Sequence, residues 1–282
     1  AITCPALDNG VGSYVAAVGE CGRSLGPRAG LYGTALSADD LAAVLDALGI
    51  NYEVWNTADK NGQAPTINEL SQYRLVLWRP EELSGPAPGF TTALTGYVNG
   101  GGALFVSSYD LLSRLTQPAD LAFRTNILHV TSFDEDQGAT ELKAVPGDPV
   151  GGHLDVSLDY TAFPSGFLIE LLGIVWENGP DHLRVAPDAA GSLTQEDGRI
   201  VGLRYPRTGA DSVGRVIFWS LALESIPMTG DGGNNRTELL ARAIAYLVPD
   251  LQNGAALAFD QSAYSIPANV VLEVADARPL PK

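Results

Sequence analysis

The sequence predicts an open, doubly wound α/β domain on a mostly parallel sheet, with an antiparallel β extension and the start of a C-terminal immunoglobulin-like β-sandwich. Three observations predict it. Short, almost wholly apolar runs, the signature of strands covered on both faces, recur at residues 74–78, 103–106 and 215–219. Amphipathic stretches with helix caps alternate with them. Between about residues 125 and 210 that alternation gives way to short β-rich pieces separated by Gly, Pro and Asp turns.

A first strand is expected over residues 1–9, apolar at Ile2 and Leu7 and interrupted by Pro5. Residues 10–34 are glycine-rich and aperiodic, an expected insertion loop that carries Cys21. A helix follows: Ser37 is a good N-cap, Asp40 stands three residues on, Leu41, Val44, Leu45 and Leu48 form one apolar stripe, and Gly49 stops it. Residues 51–55 read as the next strand, and Thr66 with Glu69 is a capping box that opens a short helix. After the apolar run at 74–78, a helix is expected over 90–99, ending at the glycine triplet 100–102. The strand 103–106 then breaks sharply into another helix at Ser107, Ser108 and Tyr109.

In the β-rich part, strands are expected at 127–130, 140–145, 154–158, 183–186 and 200–205, with Glu196-Asp197-Gly198 as a hairpin turn. Residues 215–219 return as a core strand. Leu239, Leu240, Ala243, Ile244 and Leu247 line the buried side of a helix over 237–247 that Pro249 terminates. The domain therefore spans residues 1–250. Residues 251–282 are a linker and two further strands, 256–260 and 269–274, which cannot form a stable sandwich by themselves. They pair with another chain or belong to a domain of which the rest is missing.

Composition narrows the function. With 33 acidic against 17 basic residues the formal charge is −16, a field that repels phosphate backbones and argues against nucleic-acid binding. No apolar run is long enough to cross a bilayer, so no membrane insertion is expected. The chain begins at Ala1, as a mature terminus left by signal cleavage would, and as an excised piece would. Cys4 and Cys21 either close one loop, worth about 3 kcal/mol by chain entropy, or stand as two buried thiols. A secreted or cell-surface location is the expectation.

In order, these blocks resemble the class I glutamine amidotransferase-like superfamily, a flavodoxin-like fold, and more closely its non-catalytic members inside large secreted bacterial proteins. The residues that carry the resemblance are 38–55, 70–78, 94–107 and 215–226, the last followed by a helix and a proline; together they span most of residues 1–249. An amidotransferase of that superfamily needs a cysteine at the strand-to-helix elbow, a histidine to deprotonate it and an acid to orient the histidine. Carried over by position, the elbow falls near Ser108, the histidine position near Ser220, and Glu224 stands where the acid would be. The nucleophile is serine at best and the base is absent, so the resemblance implies a catalytically silent relative.

Ligands of open α/β sheets nevertheless bind outside the carboxyl ends of the strands. Asp8, Asn9, Glu81, Glu82, Ser107, Ser108, Tyr109 and Glu224 are expected to converge there, either as a small polar pocket of the kind that holds a sugar or as solvated strand ends. Residues 134–138 and 231–235 are oxygen-rich but lack the spacing of a twelve-residue calcium loop, and His129, His153 and His182 show no zinc spacing. No metal or cofactor is expected. The leading expectation is a non-catalytic structural or interaction module, assembling with a protein partner or with itself through the C-terminal strands. The alternative is a carbohydrate-binding or glycan-hydrolysing domain that uses the acidic crevice, and a serine hydrolase acting through Ser108 is the third reading.

Overall fold

Nine strands form one sheet in the order β2-β1-β3-β4-β11-β10-β9-β6-β7. In this computed structural model the described residues are 15–19, 38–48, 50, 52–56, 60–80, 86–135, 139–159, 179–208, 214–249, 255–259 and 272–276. The strands are β1 (Val15–Gly19), β2 (Tyr52–Asn56), β3 (Leu75–Arg79), β4 (Ala103–Ser107), β5 (Val130–Asp134), β6 (Glu141–Ala144), β7 (Asp155–Ser157), β8 (His182–Val185), β9 (Ala190–Gln195), β10 (Ile200–Tyr205), β11 (Val216–Trp219), β12 (Ala255–Phe259) and β13 (Leu272–Asp276). The helices are α1 (Ala38–Ala47), α2 (Ile67–Leu70), α3 (Phe90–Asn99), α4 (Leu111–Arg114), α5 (Pro118–Asn126) and α6 (Arg236–Leu247). Neighbours from β2 through β1, β3 and β4 to β11 pair in parallel. From β11 outward through β10, β9, β6 and β7 every pairing is antiparallel. The chain is thus a mixed α/β fold in which the doubly wound half, with its reversal of strand order beside β1, continues without a break into the antiparallel extension.

Burial on both faces explains the apolar runs. Leu75 and Leu77 of β3 and Phe105 of β4 meet Leu41, Val44 and Leu45 of α1 and Leu239, Leu240 and Ile244 of α6 in one core. Val76 and Trp78, with Leu104 and Val106, meet Phe90, Leu94 and Val98 of α3 and Phe123 of α5 in the other. Alternate residues of one strand serve opposite cores, so β3 and β4 are apolar at every position except the last, Arg79 and Ser107. Edge-to-face aromatic pairs lie in each, Phe105 on Trp219 at 4.8 Å and Trp78 on Phe90 at 4.9 Å between ring centroids.

The expected capping box of α2 is present, with Thr66 and Glu69 bonded reciprocally. The hairpin turn at Glu196-Asp197-Gly198 joins β9 to β10, and Gly198 there has φ +81°. Other elements differ from expectation. Val15–Gly19, inside the stretch read as an insertion loop, forms β1 and pairs with both β2 and β3. The strand expected at 127–130 begins at Val130, because Ile127 closes α5 by donating its N–H to the Phe123 carbonyl at 2.9 Å. Helix α5 itself had no sequence expectation. β5 and β8 pair with each other in a separate two-stranded sheet rather than extending the main one. The tail strands β12 and β13 form an antiparallel pair, in register at Leu257 and Val274, and no third described strand joins them. Residues 1–9 with Cys4, Asp8 and Asn9, and also Cys21, Glu81 and Glu82, lie outside the described residues.

Candidate functional site

The carboxyl ends of β3, β4 and β11 bring Arg79, Ser107, Ser108, Ser220 and Glu224 together. Ser107 ends β4, and its hydroxyl donates to the Leu221 carbonyl at 2.6 Å. The Ser108 N–H donates to the Trp219 carbonyl at 3.1 Å, and the whole Ser108 residue is inaccessible to solvent. The Ser220 hydroxyl lies 2.6 Å from the Asp181 carbonyl and 2.9 Å from that of Val201, so its one proton is held by the backbone. Hydroxyls in these positions stabilise the junction of three strands. None of these bonds presents an oxygen to a substrate.

Glu224 lies in a buried 3₁₀ turn, Leu223–Ser225, just beyond β11. Its Oε1 pairs with Arg79 Nε at 2.9 Å, and both side chains are almost fully buried. Glu224 Oε2 is buried with no hydrogen-bond partner. The turn is clamped from below by Arg236 at the start of α6, whose Nε and Nη2 donate to the carbonyls of Ile226 (3.0 Å) and Glu224 (2.6 Å). A carboxylate paired with a guanidinium and buried with it is not free to meet a substrate or to orient an imidazole.

The strand-to-helix corner also differs from a nucleophile elbow. Such an elbow places its nucleophile on a strained backbone. Among the described residues the non-glycine positions with positive φ are Asn61 and His129, so residues 107–110 run from β4 into the four-residue α4 without that strain. Tyr109, expected in the pocket, is 1% exposed and packs into the core with Phe105 and Leu223. No described imidazole reaches Ser108. His129 bonds Asp188 at 3.1 Å and stacks on Tyr205, His153 is exposed in a turn, and His182 is buried with neither ring nitrogen hydrogen-bonded.

Sequence reasoning missed Arg79. A cation placed at the end of a wholly buried strand and followed by proline was the available signal, because an arginine there must find a counter-charge. It also missed two surface cavities. A cleft of about 540 Å³ lies at the amino ends of β3, β4 and β11, between Arg74, the glycine triplet and Arg215. A second, of about 240 Å³, lies beside Trp55. Among the described residues no group of three or more His, Cys, Asp or Glu side chains is placed to hold a metal ion. No described helix is long and apolar enough to cross a membrane.

No protein-family model matches the sequence, and no curated protein matches it. Solved structures with a similar course of the chain include a beta-galactosidase from Rahnella sp. R3, 16% identical over 88% of this chain and 34% of that one, with a TM-score of 0.48. They also include a glutamine amidotransferase from Thermotoga maritima (10% identical, 85% of this chain and 84% of that one, TM-score 0.42). A glutamine amido transferase from Methylobacillus flagellatus is 12% identical over 76% of this chain and 70% of that one, with a TM-score of 0.40. This chain spans about a third of the length of the beta-galactosidase.

Proposed function

We propose that this chain is a catalytically silent α/β module of a secreted or cell-surface protein, glutamine amidotransferase-like in fold, that serves assembly or spacing. The observation that carries the reading is the Arg79–Glu224 ion pair, which engages with a guanidinium the residue that the resemblance sets at the position of the histidine-orienting acid. The Ser107 and Ser220 hydroxyls near it are bonded to backbone carbonyls. The glycan-hydrolysing alternative needs two carboxyl groups that exchange protons with the sugar, and the one described candidate, Glu224, is held by Arg79.

Assembly through the tail follows from strand physics. An isolated two-stranded pair is marginal in water and leaves two rows of unpaired backbone groups. A strand from a second copy, or from the next domain, satisfies one row. The test compares the full chain with Leu257→Lys/Val274→Lys, a pair of substitutions at one register position of β12 and β13. Light scattering should show an associated wild type and a variant reduced to monomer. A wild type that is monomeric at every concentration, or a variant that associates equally well, sinks the assembly role.

A further inference from the structure

The cavity beside Trp55 lies between edge strand β2 and helix α2. Its walls are Glu53, Trp55, Lys60, Glu69, Gln72 and Tyr73. The walls are held in place. Trp55 Nε1 donates to the Gln63 carbonyl at 3.0 Å, which fixes the plane of the indole. The Tyr73 hydroxyl donates to Glu53 Oε2. Glu69 Oε2 accepts from the Thr66 N–H at 2.7 Å and from the Thr66 hydroxyl at 2.8 Å. Each carboxylate is therefore positioned through one oxygen, and Oε1 of both Glu53 and Glu69 forms no hydrogen bond.

A cation already occupies this setting. The Lys60 ammonium stands 4.9 Å from the centre of the Trp55 ring, and its charge helps hold the Glu69 carboxyl below its ordinary range, after the stronger effect of the Thr66 hydrogen bonds. The lysine is exposed and belongs to the turn that follows β2, so its departure leaves the fold intact. With it gone, the cavity offers one indole face and two positioned carboxylates, the elements of a site for organic cations. An anion would meet two negative groups there, and the acidic surface of the chain, −16 overall, concentrates cations around it.

We propose that the Trp55 cavity is a binding site for an alkylammonium group, such as a lysine side chain or a quaternary amine, and that Lys60 is its built-in competitor. The two sources differ in their demand on the carboxylates. A primary ammonium donates hydrogen bonds to Glu53 and Glu69, whereas a quaternary one has no N–H and relies on the ring face and on charge.

The test follows the Trp55 indole N–H resonance of the full chain by NMR, identified by its loss in Trp55→Phe. Tetramethylammonium and an N-acetylated, C-amidated lysine are titrated separately at constant ionic strength, with neopentyl alcohol as a neutral control of similar bulk. Saturable shifts are expected with at least one cation. Lys60→Gln should bind it about five-fold more tightly, the loss of one exposed cation–π competitor, and Glu53→Gln should bind it more weakly. A preference for the lysine analogue assigns a protein partner; a preference for tetramethylammonium assigns a quaternary amine. The proposal is overturned if neither cation moves the resonance in Lys60→Gln, or if the neutral alcohol moves it equally.

Discussion

Arg79 and Glu224 are 145 residues apart in sequence and 2.9 Å apart in space, and their ion pair joins the end of β3 to the turn after β11. The pair is buried, so each charge depends on the other. Removing one partner leaves an uncompensated charge in the interior at a cost of about 3–5 kcal/mol, whereas replacing both by apolar groups of similar volume is often neutral. Glu224→Gln should therefore destabilise the chain by about that amount in urea unfolding, and Arg79→Met/Glu224→Leu should recover most of the loss. If Glu224→Gln costs less than about 1 kcal/mol, the pair does not hold the crevice together.

The chemistry of the corner can be tested separately. Ser108 is inaccessible to solvent and none of the three imidazoles, the usual activators of a serine nucleophile, is bonded to it. Incubation with a fluorophosphonate should leave the intact mass unchanged. A mass increase that disappears in Ser108→Ala would establish a reactive hydroxyl and end the silent-module reading.

Elements whose sequence signal is local were legible. Helix α3 over residues 90–99, the α2 capping box, the core strands β3, β4 and β11, and the turn at Gly198 all follow from burial on two faces, from cap residues or from turn residues. β1 was hidden because its Val-Ala-Ala-Val-Gly sequence is weakly apolar and sits among glycines, although it is the strand that joins β2 to β3. Helix α5 carried a readable start, Gln117 before Pro118 with Asp120 at the third helical position, and the Gln117 N–H donates to the Asp120 carboxylate at 3.2 Å.

The site was legible as a location and not as an arrangement. Position along the fold brought Ser107, Ser108, Ser220 and Glu224 to one end of the sheet, because the parallel strands deliver them there. Which groups are bonded, and to what, depends on contacts such as Arg79 to Glu224 that no local pattern encodes. Tyr109 shows the same limit: its place in the chain sets it beside the crevice, and the structure buries it in the core.

The glycine triplet separates two kinds of constraint. Gly101 has φ +98° with nothing within 4 Å of a Cβ, so Gly101→Ala adds strain in the backbone alone, about 1 kcal/mol. A Cβ on Gly102 would lie 2.2 Å from the Tyr97 ring. That ring cannot swing away freely, because its hydroxyl lies 3.1 Å from the Ala103 carbonyl and 3.2 Å from that of Tyr73. Gly102→Ala should cost about 2–3 kcal/mol in urea unfolding, the larger of the two losses. The reverse order would show that the approach of Tyr97 to the strand is not what requires glycine there.

His129 makes the stability of the chain depend on pH. Its ring is stacked on Tyr205 at 3.7 Å, and burial pushes its pKa below the ordinary histidine value, opposed by the Asp188 carboxylate at Nδ1. The unfolded chain, with a pKa of about 6.5, therefore takes up this proton at a higher pH than the folded chain does. The contribution of His129 is complete above that value and is lost as pH falls through the folded pKa. His129→Asn removes the titration and keeps a residue that tolerates the φ of +56° found here. Urea unfolding at about pH 8 and about pH 5 should show the wild type losing more stability on acidification than the variant. Equal losses in the two proteins would mean that this imidazole is as easily protonated folded as unfolded, which the stacked, buried geometry does not allow.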